Sequence, residues 1–269
     1  MLERIGYSNF GALPIASAFG GDREQQTSYA VRFSANNVRH INAASRMLLR
    51  NKVGAIAFNG IYGLFTNAED DAATQRIMQI KKRPNDKNLI LVSTPEHLDE
   101  HVDFEHSYYS HEQVAELQKY LYALGVIMPS SPNAPAHLVA KRDDQQTILS
   151  IWTEYSPLRR LITEFRAKGG RALAGTSANK SGQPTHVLTP EMWEDFKTDV
   201  DFTVEADYSG FPLPDIRRRS TSVIDLTKPR PRLHRLGNVT QEEIQEGLLK
   251  FKFPDLQVVE EKTIFVRPR

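Results

Sequence analysis

The sequence predicts an α/β domain, of the α+β kind, in which a mixed sheet carries helices on its faces. Three observations predict it. Short apolar runs with strand character alternate with amphipathic helical stretches along most of the chain. Asn-Gly, Gly-Gly and Pro punctuate them at element-length intervals. Apolar residues make up 40% and charged residues 25%, which supplies a core without the composition of a disordered chain.

Taken in order, residues 1–28 are polar, Gly- and Ser-rich, and read as irregular. Residues 35–50 read as a helix, with Val38, Ile41, Ala44 and Leu48 at helical spacing. Val53–Phe58 reads as a buried strand closed by the turn Asn59-Gly60. Asp70–Lys82 is helical, with Ala73, Ile77 and Ile80 on one face, and Asn88–Val92 is a strand. Helices follow at 96–103 and 111–124, and strands at Leu138–Ala140 and Thr147–Trp152. Ser156–Lys168 is a helix with Leu158, Leu161, Ile162 and Phe165 on one face, stopped by Gly169-Gly170. Ala172–Gly175 is a strand, 190–198 a helix, and 202–206, 222–226 and 232–235 are strands. Helix 240–251 closes the body, with Thr240 as N-cap and Glu243 as its capping-box partner. Residues 252–269 add an edge hairpin or a packed tail. The expected division is an extension (1–34), the main domain (35–251) and a tail (252–269).

Several function classes fall away. The absence of cysteine excludes disulfides, thiolate metal sites and cysteine nucleophiles. With 34 basic and 33 acidic side chains the net charge is +1, so attraction to nucleic acid has to come from a local patch. No apolar run reaches the roughly 18 residues that span a bilayer. Phe10–Gly20 is mildly apolar but follows Glu3-Arg4 and contains Pro14, unlike a signal peptide. A cytoplasmic location is the expectation.

Three clusters could carry chemistry. Lys81-Lys82-Arg83-Pro84-Asn85-Asp86-Lys87 places four cations at a helix end, with Pro84 as breaker. It suits a phosphate or carboxylate clamp, Arg as a fork and Lys as a point charge, or else a solvated turn whose cations favour a helix C-terminus. Ala174-Gly175-Thr176-Ser177-Ala178-Asn179-Lys180-Ser181-Gly182 leaves a strand with hydroxyls, an amide and small residues. Such a loop lets backbone N–H groups approach an anion, and is equally the composition of an ordinary strand exit. Arg217-Arg218-Arg219-Ser220-Thr221-Ser222 leads into Val223-Ile224-Asp225, with Arg235 and Gly237 further on. It could hold an anion, or point its arginines at water.

The joint order of these segments is more specific than any one of them. Ile61-Tyr62-Gly63-Leu64, then Lys81-x-Arg83-Pro84 with Lys87, then Thr176-Ser177-Ala178-Asn179-x-Ser181-Gly182, then Ser220-Thr221, then Arg235-x-Gly237, resembles the YrdC/Sua family over about residues 38–245. The resemblance implies a twisted mixed sheet with flanking helices around a deep basic cavity. It also implies L-threonylcarbamoyladenylate synthesis: threonine, bicarbonate and ATP give threonylcarbamoyl-AMP and pyrophosphate for the t6A modification of tRNA. Carried across, Lys81 and Arg83 are the catalytic cations. Lys87, Thr176, Ser177, Asn179, Ser181, Ser220 and Arg235 hold the nucleotide. Mg2+ arrives on the ATP phosphates, and no protein metal site is expected. Partners are ATP, bicarbonate, an amino acid (threonine or a variant), and RNA or tRNA-modification proteins, with no membrane.

The sequence departs from the family on the amino-acid side. Ala57-Phe58-Asn59-Gly60 stands where the family has Pro-Thr-Asp-Thr, so Gly60 replaces a threonine. Asn133-Ala134-Pro135-Ala136-His137 stands for Pro-Gly-Pro-x-Thr, and an arginine has no counterpart near Ile151-Trp152-Thr153. Each lost hydrogen bond to a charged partner costs about 1.5–3 kcal/mol. The expected substrate pocket is therefore altered, with Asn59, Tyr62 and His137 as candidate contacts. Two other readings stand beside the synthase: a nucleotide- or duplex-RNA-binding module of the same fold without turnover, and a carbamoyl-transfer role, for which related enzymes carry further domains.

Overall fold

The computed structural model describes residues 28–82, 88–121, 123–154, 157–180, 183, 185–206 and 219–258. The strands are β1 (Val31–Ser34), β2 (Gly54–Phe58), β3 (Ile61–Asn67), β4 (Ile90–Val92), β5 (Gly125–Pro129), β6 (Ala140–Arg142), β7 (Gln145–Ile151), β8 (Leu173–Ser177), β9 (Phe202–Glu205), β10 (Val223–Asp225) and β11 (Arg232–Arg235). The helices are α1 (Val38–Leu49), α2 (Asp71–Ile80), α3 (His111–Tyr120), α4 (Pro157–Arg166), α5 (Thr189–Phe196) and α6 (Gln241–Lys250). All strands join one sheet in the order β1-β9-β2-β3-β8-β4-β7-β5-β10-β11, with β6 added to β7. Pairings β1/β9, β2/β9, β4/β7 and β5/β10 are parallel and the rest antiparallel, so the mixed sheet with flanking helices is as the sequence predicts.

The helix starts are capped as local chemistry dictates. Asp70 accepts from the Ala73 N–H at the head of α2, and Thr240 with Glu243 forms a capping box on α6. Each face of the sheet has its own apolar layer. On one, Tyr62, Leu64, Leu91, Val126 and Ile224 pack with Ile77 of α2, Leu117 of α3, Phe196 of α5 and Leu248 of α6. On the other, Ile56, Phe58, Ile61, Phe65 and Ile151 pack with Ile41 and Leu48 of α1 and Leu161 and Phe165 of α4.

Four expectations are corrected. Ile61–Asn67 is a strand, because Asn59 (φ 48°) and Gly60 (φ 77°) turn the chain straight back as a two-residue hairpin rather than merely ending β2. Gly125–Pro129 is a fully buried central strand after a helix that stops at Tyr120. The helix expected at 96–103 is a 3-10 stretch, Pro95–Glu100, and Leu138 closes another before β6. Val31–Ser34, expected within an extension, pairs with β9 at the sheet edge. In the tail, Phe253 is buried and Gln257 bridges to Arg232, while residues 259–269 lie outside the described residues.

Candidate functional site

On the α1/α4 face, beyond those helices, the sheet carries an open cavity of about 690 Å³ including its mouth. Strand alternation decides what enters it. Ile61, Gly63 and Phe65 of β3 line it, with Ile90 and Val92 of β4 and Leu149 and Ile151 of β7. The Phe65 ring lies flat across β3 and β8. A Cβ on Gly63 or Gly175 would come within 2.5 or 2.3 Å of that ring, so both positions need glycine. Phe58 meets Phe65 edge-on at 6.0 Å and completes an apolar floor.

The polar rim comes from three segments far apart in sequence: Thr176 and Ser177 at the end of β8, Ser220 and Thr221 before β10, and Arg235 at the end of β11. Arg235 donates from Nε and Nη2 to the Thr221 carbonyl at 3.0 and 2.8 Å, which aims its guanidinium along the rim. Gly237 permits this closure, since a Cβ there would sit 1.9 Å from the Ser220 carbonyl oxygen. Behind the rim the buried Ser222 hydroxyl donates to the Val239 carbonyl at 2.7 Å and accepts from the Gly237 N–H at 2.8 Å.

Lys81 is 5% exposed and follows the last turn of α2. Its Nζ donates to the Ser177 carbonyl, and to Asn179 Oδ1 at 2.9 Å. Ser177 Oγ donates to the same Asn179 oxygen at 2.6 Å, while Asn179 Nδ2 donates to the Gln183 carbonyl at 2.5 Å. The lysine turn and the hydroxyl–amide loop therefore meet, although 96 residues separate Lys81 from Ser177. The Lys81 ammonium thus packs against two oxygens, the Ser177 carbonyl and Asn179 Oδ1, directly behind Ser177, which lines the cavity.

Not every expected residue is there. Tyr62 alternates with Ile61 and Gly63 and faces the opposite layer, where its hydroxyl meets Thr189 Oγ1. Burial raises its phenol pKa, partly offset by that bond. His137 is spent on the Ala68 carbonyl at 3.0 Å near the start of α2. Asn59 is buried in the hairpin turn, its Oδ1 accepting from Thr153 Oγ1 at 2.6 Å. Thus Tyr62, His137 and Asn59 are not among the residues that line the cavity. Arg83, Lys87, Ser181, Arg217 and Arg218 lie outside the described residues. Among the described residues the lining holds one cation, Arg235, and no carboxylate. Residue-by-residue reading does not single out Asn88, Phe58 or Phe65 as lining residues, whereas the Ser220-Thr221 motif does line the cavity.

A profile of the Sua5/YciO/YrdC family, described as telomere recombination, matches residues 46–237. The chain belongs to this family. Among the family's curated members, the threonylcarbamoyl-AMP synthase of Pseudoalteromonas translucida is 29% identical over 175 residues, covering 65% of this chain and 89% of that protein. The Haemophilus influenzae enzyme of the same name is 31% identical over 175 residues, covering 63% of this chain and 91% of that protein. Solved family structures share the fold. Sua5 of P. abyssi complexed with L-threonine superposes with a TM-score of 0.68 at 23% identity, over 86% of this chain. The match spans 63% of the P. abyssi protein's length. E. coli YciO superposes at 0.63, with 20% identity, over 81% of this chain and 99% of its own. No described helix of this family member is long and apolar enough to cross a membrane.

Proposed function

We propose that this protein is an ATP-dependent synthase of the threonylcarbamoyl-AMP type, acting in tRNA t6A modification. One observation carries the reading. Lys81 is locked onto Asn179 and onto Ser177, and Ser177 lines a cavity that also gathers Thr176, Ser220 and Arg235. In this reaction an amino-acid amine attacks the carbon of bicarbonate and water leaves, giving a carbamate. A carbamate oxygen then attacks the α-phosphorus, the bond to the β-phosphate breaks, and pyrophosphate departs. Charge builds on the α-phosphate and on the leaving group, so catalysis is a matter of preorganised donors and cations rather than an acid–base pair.

In this reading Lys81, with Arg83, offsets the phosphate charge. Ser177, Asn179 and Thr176 bind the nucleotide, a role also assigned to Ser181 and Lys87. Ser220 and Arg235 close over its sugar and phosphate side. Mg2+ enters on ATP. The floor of Phe58, Ile61 and Phe65 offers a ligand contact area but no hydrogen bond, in keeping with an amino-acid end rebuilt from the family pattern. The names of the curated relatives support the reaction class, and the cytoplasm is where that reaction belongs.

The test is pyrophosphate release from purified protein with ATP, bicarbonate and L-threonine, each omitted in turn. Release that requires ATP, bicarbonate and an amino acid supports the reading. Binding of ATP or duplex RNA with no release across a panel of amino acids would replace it with the binding module.

A further inference from the structure

We propose that Asp195 is a positioning residue for the nucleotide site: its carboxylate ties Lys180 and His186 to α5 and so holds Ser177, Asn179 and Lys81 in register. The inference rests on the cavity being a nucleotide site. Lys180 Nζ donates to Asp195 Oδ1 at 2.8 Å, and His186 Nε2 meets Asp195 Oδ2 at 2.8 Å. One side chain thus holds both Lys180 and His186.

The clamp is wired into the site through the backbone. Ala178 N–H donates to the Tyr62 carbonyl at 2.7 Å, Tyr62 N–H to the His186 carbonyl at 3.0 Å, and His186 N–H to the Ala178 carbonyl at 3.2 Å. This closes a ring between β3 and the two ends of the loop, and Ser177 and Asn179 border it. Tyr62 joins the same scaffold through its hydroxyl on Thr189, the first residue of α5. The far end of the clamp is rigid, because Met192 and Phe196 bury α5 in the core. Phe196 also meets the His186 ring edge-on at 5.9 Å. Among the described residues the other charged group facing His186 is Glu191, whose Oε2 lies 3.8 Å from Nδ1. The Lys180 bond, then the His186 bond, outweigh partial burial and hold the Asp195 carboxyl below its ordinary pKa, so it stays an anion near neutrality. Ser177 and Asn179 lose rotamer freedom when they are held in place. Fixing them before substrate arrives removes that entropic cost from nucleotide binding.

The test compares Asp195→Ala and Asp195→Glu with Asp201→Ala, whose carboxylate serves Arg76, Lys52 and the Val53 N–H instead. Two quantities are read: amide exchange at Ala178 and His186 without nucleotide, and Mg-ATP affinity by calorimetry. Asp195→Ala is expected to speed exchange at both amides and weaken ATP binding about tenfold, the effect of one hydrogen bond to a charged partner. The glutamate variant should recover most of that affinity, and the KM for the amino acid should hold. Asp201→Ala should lower stability and leave ATP affinity unchanged. ATP affinity in Asp195→Ala equal to wild type would overturn the clamp and leave the proposed function standing. A wild-type protein that binds no ATP would overturn both.

Discussion

Replacing Lys81 with methionine removes one ammonium and keeps nearly all of the side-chain volume. In the structure that ammonium is buried and spans the Ser177 carbonyl and Asn179 Oδ1. Asn179 keeps its bond from Ser177 Oγ, so the loop is weakened rather than released. Hydrogen bonds with a charged partner contribute about 1.5–3 kcal/mol, which sets the expected loss of folding stability for the variant. The effect on the reaction should be larger in kind. A donor aimed at charge that develops in the transition state contributes about 100- to 1000-fold in rate. Lys81→Met should therefore fold, melt at lower temperature, and release pyrophosphate from ATP about 100- to 1000-fold more slowly than wild type. Thermal unfolding and a coupled pyrophosphate assay on one preparation read both quantities. A variant that is destabilised as expected yet turns over at a rate close to wild type would refute the role given to Lys81, because its ammonium would then be structural only.

Other outcomes follow from the same geometry. Gly237→Ala forces a Cβ to 1.9 Å from the Ser220 carbonyl, so Ser220–Thr221 and Arg235 must part; lower thermal stability together with weaker ATP binding is expected, checked by melting and calorimetry. Phe65→Ala should cost about 3–5 kcal/mol in chemical denaturation, as for other buried aromatic truncations. His101 is fully buried, and burial, then the charge of Arg171, push its pKa from 6.5 down to about 4. The unfolded chain therefore binds more protons between those values, so stability holds above pH 6.5 and falls as pH drops towards 4, by at most about 1.4 kcal/mol per unit. His101→Leu should flatten that limb of an unfolding-versus-pH curve.

The helices were the most legible part of the sequence, because amphipathic spacing and capping residues act locally. Thr240 with Glu243 could be read without any knowledge of the fold. Strands β3 and β5 were harder. Both are buried on nearly every residue and show no alternation to read, and β3 mixes Tyr, Gly, Thr and Asn. The Asn-Gly pair that announced β3 was read as an end rather than a hairpin. That omission propagated to the site. Only β3 read as a strand assigns Tyr62 and Phe65 to opposite faces, with Phe65 toward the cavity. Order along the chain anticipates the meeting of Lys81 with Ser177 and Asn179, and the gathering of Ser177, Ser220 and Arg235 on one cavity, because each motif sits where an element ends. The partner of His137, the Ala68 carbonyl, is a backbone group that no side-chain pattern reveals.

The most direct measurement is a crystal structure of the protein with magnesium and a non-hydrolysable ATP analogue. The phosphates should lie against Lys81, Ser177 and Arg235, with the Phe65 floor beneath the ligand. A nucleotide bound on any other surface, with this rim untouched, would contradict the account.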